Sequence, residues 1–213
     1  MFAAAGIGSG MEIVDLGRTS FEEADRVQKE ALEAGVDRIV ACELEPVITL
    51  GRGTRDGAVV EARFPIREVE RGGEATLHLP GQLVLYPVVR LGPTARDLHR
   101  WLRRLEGVAI LALGDFGVEG LRREGLTGVW TGAGKIVSLG IAVRRWHSYH
   151  GLSLNVDPDL GAFASIRPCG LDPAAMTSMA RVLGRAPPFE DVKRRAIARL
   201  LEEIDPCPTP SPP

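Results

Sequence analysis

Three stretches of the chain carry apolar residues at the spacing of an amphipathic helix. The first stretch repeats them every three or four positions, at Phe21, Ala24, Val27, Ala31 and Leu32. Ser20 with Glu23 forms a capping box before it, so the pattern predicts a helix over about residues 20–34. Thr94 is expected to cap a second helix, and Phe189–Ile204 is expected to form the last one.

Short apolar runs rich in β-forming residues predict the strands. They are Glu12–Leu16, Val47–Leu50, Ile66–Glu70, Leu83–Leu91, Ile136–Val143 and Gly151–Val156. These strands arrive in runs with helices between the runs, which favours an α+β fold over a doubly wound parallel sheet. No internal repeat or linker is evident. The sequence therefore predicts a single domain over residues 11–204, with a flexible N-terminus over 1–10 and a disordered Pro-rich tail over 205–213.

Composition restricts the classes of partner. The 213 residues are 45% apolar and 25% charged, with a net charge of −2. The protein therefore has no strong positive electrostatic field that would attract nucleic acid. Apolar runs stay well below the ~18 residues of a membrane span, and the first ten residues lack a signal-peptide pattern. We therefore expect a cytoplasmic globular protein that binds neither nucleic acid nor membrane.

The three cysteines have different settings. Cys169 lies between Pro168 and Gly170, which is typical of a turn, and Asp172 with Pro173 predicts a helix start behind it. A helix N-terminus and a neighbouring cation both favour thiolate over thiol. Cys42 lies in an apolar run and is interpreted as an inert core thiol, whereas Cys207 falls in the Pro-rich tail.

Lys135 follows a Gly-rich turn and opens an apolar run. A phosphate loop is excluded, because Val129 stands where a glycine is required and Ile136 where Ser or Thr is required. Only Lys29, Lys135 and Lys193 are lysine among 26 basic residues. Since lysine can transfer a proton and arginine cannot, Lys135 is a catalytic candidate; a snorkelling surface lysine is the alternative.

Two further segments combine a histidine with glycines. The first runs from Arg71-Gly72-Gly73 through His78 to Gln82, and the second is His150-Gly151 with the residues that follow. Paired glycines let the backbone approach a ligand. The histidines do not form a zinc pair with a third ligand, and no G-x-S-x-G elbow is present.

These segments, together with Gly128-Val129-Trp130, Lys135 and Pro168-Cys169-Gly170, occur in an ordered set that resembles the lipoyl(octanoyl) transferases, also called the lipoate–protein ligase B family. The likeness spans roughly residues 12–200. It implies the α+β fold of the biotin and lipoate ligases, a mixed β-sheet flanked by helices. The chain departs from the usual His-Gly-Pro-Gly-Gln at Leu79, and has Glu74 and Leu77 where Gln and Tyr are usual.

The resemblance also implies a reaction. Octanoyl would pass from octanoyl-acyl carrier protein to a lysine of a lipoyl domain, in 2-oxoacid dehydrogenase complexes or the glycine cleavage H protein, without metal or cofactor. Cys169 matches the family's acyl-thioester cysteine, and Lys135 the lysine that lowers the pKa of that cysteine. The residues that match its acyl-binding segments are Arg71, Gly72, Gly73, Glu74, Ala75, Thr76, Leu77, His78, Ser138, Leu139, Gly140, Gly151, Leu152 and Ser153.

Three other functions remain open at this point. An ATP-dependent lipoate or biotin ligase of the same fold needs no thiol, so Cys169 argues against it. A non-catalytic binder of lipoyl domains or acyl carriers would have no reason to keep both Cys169 and Lys135. A cysteine hydrolase lacks its usual sequence context here.

Overall fold

A computed structural model describes residues 11–93, 96–167 and 172–204. Within these ranges, ten strands and four helices alternate in runs. The strands are β1 Glu12–Thr19, β2 Arg38–Leu44, β3 Val47–Leu50, β4 Ile66–Glu68, β5 Ala75–His78, β6 Gln82–Arg90, β7 Leu121–Arg123, β8 Leu126–Thr131, β9 Gly134–Arg144 and β10 His147–Asn155. The helices are α1 Phe21–Ala34, α2 Leu98–Gly114, α3 Met179–Leu183 and α4 Phe189–Glu203.

The strands form two mixed sheets. The larger has seven strands in the order β1-β2-β6-β10-β9-β8-β7, in which only β1 and β2 are parallel. The smaller has the order β4-β3-β5, with β3 and β4 parallel. Consecutive strands β8, β9 and β10 form an antiparallel meander, as the uninterrupted β-rich segment predicts.

Helices cover both faces of the large sheet. On β2, Ile39 and Ala41 belong to the main core, which also contains apolar residues of α2 and α4. Their neighbours Val40 and Cys42 pack on the other face, against Phe21 of α1. Successive side chains of a strand point to opposite faces, so α1 lies opposite α2 and α4.

Most predicted elements are confirmed, and two are wrong. The Ser20 side chain accepts from the Glu23 N–H and α1 begins at Phe21, as the capping box predicts. The helix assigned to a Thr94 cap begins instead at Leu98 and is capped by Asp97; Thr94 lies outside the described residues.

The helix expected to begin at Asp172-Pro173 is also wrong. It is only a short 3₁₀ segment, Pro173–Ala175. The chain then turns into a parallel bridge between Met176 and Lys135, so its backbone hydrogen bonds go to β9 rather than to a next helical turn.

The described ranges hold neither a membrane-spanning helix nor a cluster of metal ligands. None of the helices there is long and apolar enough to cross a membrane. No group of three or more His, Cys, Asp or Glu side chains converges there as metal ligands do. The predicted flexible segments, residues 1–10 and 205–213, lie outside the described part of the chain.

Candidate active site

Two of the predicted binding segments lie side by side on adjacent strands. In the antiparallel register of β9 and β10, Ser138 faces Ser153 and Gly140 faces Gly151. The two segments are separated in sequence, but sheet pairing makes them one continuous surface. This surface forms one wall of the candidate site.

The Arg71-Gly72-Gly73 turn lies across that wall. The Gly72 N–H donates to the Ile141 carbonyl at 2.8 Å. A Cβ on Gly140 would come within 2.8 Å of the Gly72 carbonyl oxygen and 3.0 Å of Arg71 Cδ. Glycine at 140 is therefore needed for the close approach of this turn to β9.

The Arg71 guanidinium holds the turn rather than projecting into solvent. It donates to the carbonyls of Gly72 at 3.1 Å and Glu74 at 2.8 Å, and to both Thr49 oxygens at 2.8 Å. Thr49 lies on β3 of the small sheet. One buried cation thus ties the turn to the second sheet and fixes the width of the space between the two sheets.

That space is a pocket with about 500 Å³ of free volume, its open mouth included. Its lining residues come from α1, from the small sheet and its β4–β5 connection, and from strands β6, β9 and β10. They are Phe21, Thr49, Val69, Arg71, Gly73, Thr76, His78, Tyr86, Ser138, Leu139, Gly140, His150, Gly151, Leu152 and Ser153. The lining combines apolar side chains, glycines and several polar side chains, so both apolar and hydrogen-bonding contacts to a ligand are available there.

Two neutral histidines face this pocket. Burial, reinforced by the Arg71 charge, lowers the pKa of His78 to about 3 and that of His150 to about 3. Within the described structure, His78 Nδ1 is buried without a hydrogen-bond partner. His150 has a left-handed backbone with φ 56, and its N–H donates to Gln28 Oε1 at 2.8 Å.

Lys135 lines a second pocket that adjoins the first. The two pockets share Gly73, Leu139 and Gly140. Lys135 is only 3% exposed, and its Nζ lies 5.7 Å from the ring centroid of Trp130. The predicted surface-lysine alternative is therefore wrong, because the residue is buried beside a ligand-sized space.

The missing side chain of Gly128 makes room for this lysine. A Cβ at Gly128 would come within 2.6 Å of Lys135 Cε and 2.7 Å of the Val137 carbonyl oxygen. The Gly128 N–H donates to Glu106 Oε1 at 3.0 Å, and this carboxylate on α2 is buried. This hydrogen bond holds β8 against α2 at Gly128, the position next to which the Lys135 side chain lies.

The chain segment after Cys169 returns to the backbone of Lys135. Met176 forms a parallel bridge with Lys135, and the Thr177 N–H donates to the Lys135 carbonyl at 2.9 Å. Ile166 and Met176 pack in one apolar cluster. Pro168, Cys169 and Gly170 lie outside the described residues.

Of the fourteen predicted binding residues, twelve line one or both pockets. The other two, Ala75 and Leu77, are fully buried and line neither of these pockets in the described structure. Leu77 and Leu79 pack in the apolar cluster of Ile166 and Met176. Two of the departures from the family pattern therefore fall behind the site, whereas Glu74 lines the Lys135 pocket.

Sequence reasoning missed several residues of the site. Thr49 and Tyr86 line the first pocket but come from segments that show only strand-like patterns. Their only signal is position within an apolar run, which does not distinguish a pocket wall from core. Cys42 is an inert core thiol as predicted: it is 1% exposed, and burial raises its pKa to about 12.

Comparison with known proteins decides the family. Residues 20–201 match the family described as Lipoyl protein ligase A/B catalytic domain. The chain belongs to this family. An octanoyltransferase of Geobacter metallireducens is 45% identical over 202 residues, covering 91% of this chain and 94% of the relative. One of Geotalea uraniireducens is 41% identical over 200 residues, with 92% and 94% covered.

Solved structures agree on the fold. A bipartite lipoate protein ligase from Thermoplasma acidophilum, studied with its E2 lipoyl domain, has a TM-score of 0.72 at 14% identity over 90% of this chain and 82% of that chain. Biotin protein ligase from Aquifex aeolicus gives 0.57 at 11% identity, with 90% and 67% covered. These structures confirm the predicted α+β fold. The family match and the relatives named octanoyltransferase confirm the predicted family and enzyme class.

Proposed function

We propose that this lipoyl protein ligase family member transfers octanoyl from octanoyl-acyl carrier protein to a lysine of a lipoyl domain, through a thioester on Cys169. The acceptors are the lipoyl domains of 2-oxoacid dehydrogenase complexes and the glycine cleavage H protein. The observation that carries the proposal is the buried Lys135 beside a pocket, in a chain whose relatives named octanoyltransferase match it over most of its length.

Each chemical step balances without ATP. The Cys169 thiolate attacks the acyl carbonyl; a carbon–sulfur bond to Cys169 forms, and the bond to the carrier's sulfur breaks. The carrier leaves as a thiolate, which takes up the proton that Cys169 lost. The acceptor amine then attacks the Cys169 thioester, an amide forms, and the displaced sulfur regains a proton. The first step exchanges one thioester for another, and the second is downhill because an amide is more stable than a thioester.

Lys135 is assigned two tasks. As an ammonium it stabilises the Cys169 thiolate, and it then moves a proton between the incoming amine and the leaving sulfur. The spacing along the chain allows Cys169 to approach Lys135. Met176 bridges Lys135 and lies seven residues after Cys169, and at ~3.5 Å per residue this stretch can fold back toward the lysine.

The first pocket is assigned to the acyl chain. Its apolar walls include Phe21, Val69, Leu139 and Leu152. Burying about six methylenes at ~0.8 kcal/mol each would contribute about 5 kcal/mol. Both pocket histidines are neutral at pH 7. Among the lining residues, the group that carries a charge is the Arg71 guanidinium, and backbone carbonyls hold it in place.

Among backbone donors for the oxyanion, Gly72 is excluded because its N–H already binds the Ile141 carbonyl. Gly73 lines both pockets and is the remaining described candidate. Removal of one such donor typically lowers the rate roughly 10²–10³-fold.

A cytoplasmic location suits a thiol that must stay reduced.

The decisive experiment is intact mass spectrometry after mixing the protein with octanoyl-acyl carrier protein and no ATP. One octanoyl adduct that hydroxylamine removes should appear on the unmodified sequence and on Cys42→Ala, but not on Cys169→Ser. An adduct that persists on Cys169→Ser would remove Cys169 from its role. Transfer that occurs only with ATP would favour the ligase alternative.

Lys135→Ala tests the partner of the thiol. Adduct formation should slow at neutral pH and recover as the pH rises, because bulk hydroxide then supplies the thiolate. Lys29→Ala is the matched control, since this lysine is exposed and pairs with Asp25 on α1. Equal pH profiles for Lys135→Ala and the control would contradict thiolate stabilisation by Lys135.

A further inference from the structure

We infer that Gln82 and Asn155 are positioning residues, which hold the chain segment following Cys169 against the backbone of Lys135. The inference rests on the proposed function and deepens it. It concerns a chain of buried hydrogen bonds that begins at the turn after His78, passes through two side-chain amides and ends on Lys135.

The amide of Gln82 organises the first link. This side chain is buried at the start of β6. Its Oε1 accepts from the Leu79 N–H at 3.1 Å, and its Nε2 donates to the Leu77 carbonyl at 3.3 Å and to Asn155 Oδ1 at 2.8 Å. The oxygen thus meets a donor and the nitrogen meets two acceptors, which fixes the amide's orientation.

Asn155 is the second link. It is the last residue of β10 and is also buried. Its Oδ1 receives the Gln82 bond, and its Nδ2 donates to the Thr177 carbonyl at 2.8 Å. Since Oδ1 must face Gln82 and Nδ2 must face Thr177, an apolar or flipped side chain would satisfy neither contact.

Thr177 passes the constraint to Lys135 through its backbone. Its carbonyl accepts from Asn155 and its N–H donates to the Lys135 carbonyl at 2.9 Å. Next to it, a Cβ on Gly134 would come within 2.4 Å of the Ala175 carbonyl oxygen. The segment therefore lies directly against the start of β9, with no side chain between the two backbones.

Positioning matters here because thiolate stabilisation by an ammonium falls with distance. The segment Asp172–Thr177 is joined directly to the residues that include Cys169. Loosening the segment should increase the mean separation of thiol and ammonium without altering either group. Glu74 lines the lysine pocket, Arg123 lies over Trp130, and the Glu106 carboxylate accepts from the Gly128 N–H. Changes at Gln82 or Asn155 leave these charged groups in place.

Asn155→Leu, with Gln82→Leu as the second variant, tests the inference through the pH profile of Cys169 alkylation. Iodoacetamide labelling is followed by peptide mass spectrometry from pH 5 to 10. We expect the midpoint of the unmodified protein well below the ~8.5 of a free thiol. It should rise by about one pH unit in Asn155→Leu, which corresponds to an about tenfold slower alkylation at pH values well below both midpoints. Gln82→Leu should give a smaller rise, since it leaves the Thr177 contact in place.

Ser148→Ala is the matched control. Ser148 is also buried on β10, where its Oγ accepts from Trp101 Nε1 at 2.8 Å. This variant loses a buried hydrogen bond about seven residues, or ~23 Å, from Asn155 along the strand. Its melting temperature should fall as that of Asn155→Leu does, whereas its alkylation midpoint should not move.

The outcomes separate the two claims. A low midpoint in the unmodified protein that stays low in folded Asn155→Leu and Gln82→Leu overturns the positioning role alone. A midpoint near that of a free thiol in the unmodified protein overturns thiolate stabilisation and the positioning role with it. If Asn155→Leu does not fold, as judged by circular dichroism, Gln82→Leu alone decides, and an unmoved midpoint there contradicts the inference.

Discussion

Gly128→Ala tests whether the space left by the missing Gly128 side chain positions Lys135, the proposed partner of the Cys169 thiol. Gly128 lies on β8 with φ +129°, a conformation that L residues rarely adopt. Its missing Cβ would lie 2.6 Å from Lys135 Cε, 3.3 Å from Lys135 Nζ and 2.7 Å from the Val137 carbonyl oxygen. The substitution adds one methyl group and no charge, so any change in chemistry must come from displacement.

The magnitude follows from these contacts. An ordinary contact between carbons is ~3.5 Å, so Lys135 Cε must move by roughly 0.9 Å. The strained φ costs about 1–3 kcal/mol and overpacking typically about 1–3 kcal/mol. The flexible lysine can relieve part of the overlap, whereas the Val137 backbone cannot. We expect the free energy of unfolding to fall by about 2–4 kcal/mol, and transfer by about 100-fold, the usual cost of a ~1 Å misplacement.

Two measurements on the same preparations check this expectation. Urea denaturation gives the free energy of unfolding, and single-turnover transfer from octanoyl-acyl carrier protein gives the rate for the folded fraction. Gly117→Ala is the control: it has a positive φ of +75, but no atom beyond its chain neighbours lies within 4 Å of the place its Cβ would occupy. This variant should lose stability through backbone strain alone and retain the transfer rate of the unmodified protein.

A folded Gly128→Ala protein with an unchanged transfer rate would refute the reasoning. It would mean either that Lys135 finds a second productive position or that it has no part in the reaction. Equal rate losses in Gly128→Ala and Gly117→Ala would also count against it, since strain without overlap would then explain both.

The remaining predictions concern the pocket histidines and the second thiol. His78 and His150 take up a proton near pH 6.5 when unfolded but only near pH 3 when folded. The unfolded chain therefore binds more protons as the pH falls below 6.5, and stability is lost in that direction, by about 2 kcal/mol per histidine between pH 7.5 and 5. Denaturant titrations should show a shallower acid loss for His78→Gln and His150→Gln; unchanged slopes would contradict their burial as neutral groups. Cys42 should resist thiol reagents at pH 8 in the native protein and react once the protein is denatured. Cys42→Ala should lower the free energy of unfolding by roughly 1 kcal/mol and leave the transfer rate unchanged. Rapid labelling of Cys42 in the native protein would be inconsistent with its raised pKa.

Local patterns predicted local structure well. The capping box at Ser20 and the apolar spacing after it predicted α1 to within about one residue, because a cap and a helical face are both encoded within a few positions. The pattern failed at Asp172-Pro173, which has the composition of a helix start. There the backbone hydrogen bonds are made with a strand far away in sequence, and tertiary pairing overrides local preference.

The amino-acid sequence by itself determined the strand and helix content, the ordered motifs that mark the family, and the residue types available for chemistry. Tertiary structure alone decided which of those residues meet. Pairing of β9 with β10 joins Ser138–Gly140 to Gly151–Ser153, and the amides of Gln82 and Asn155 meet across 73 positions of the chain. The physical reason is that periodicity reports which face of an element is buried, whereas the partner of that face is chosen by packing and hydrogen bonding over the whole fold.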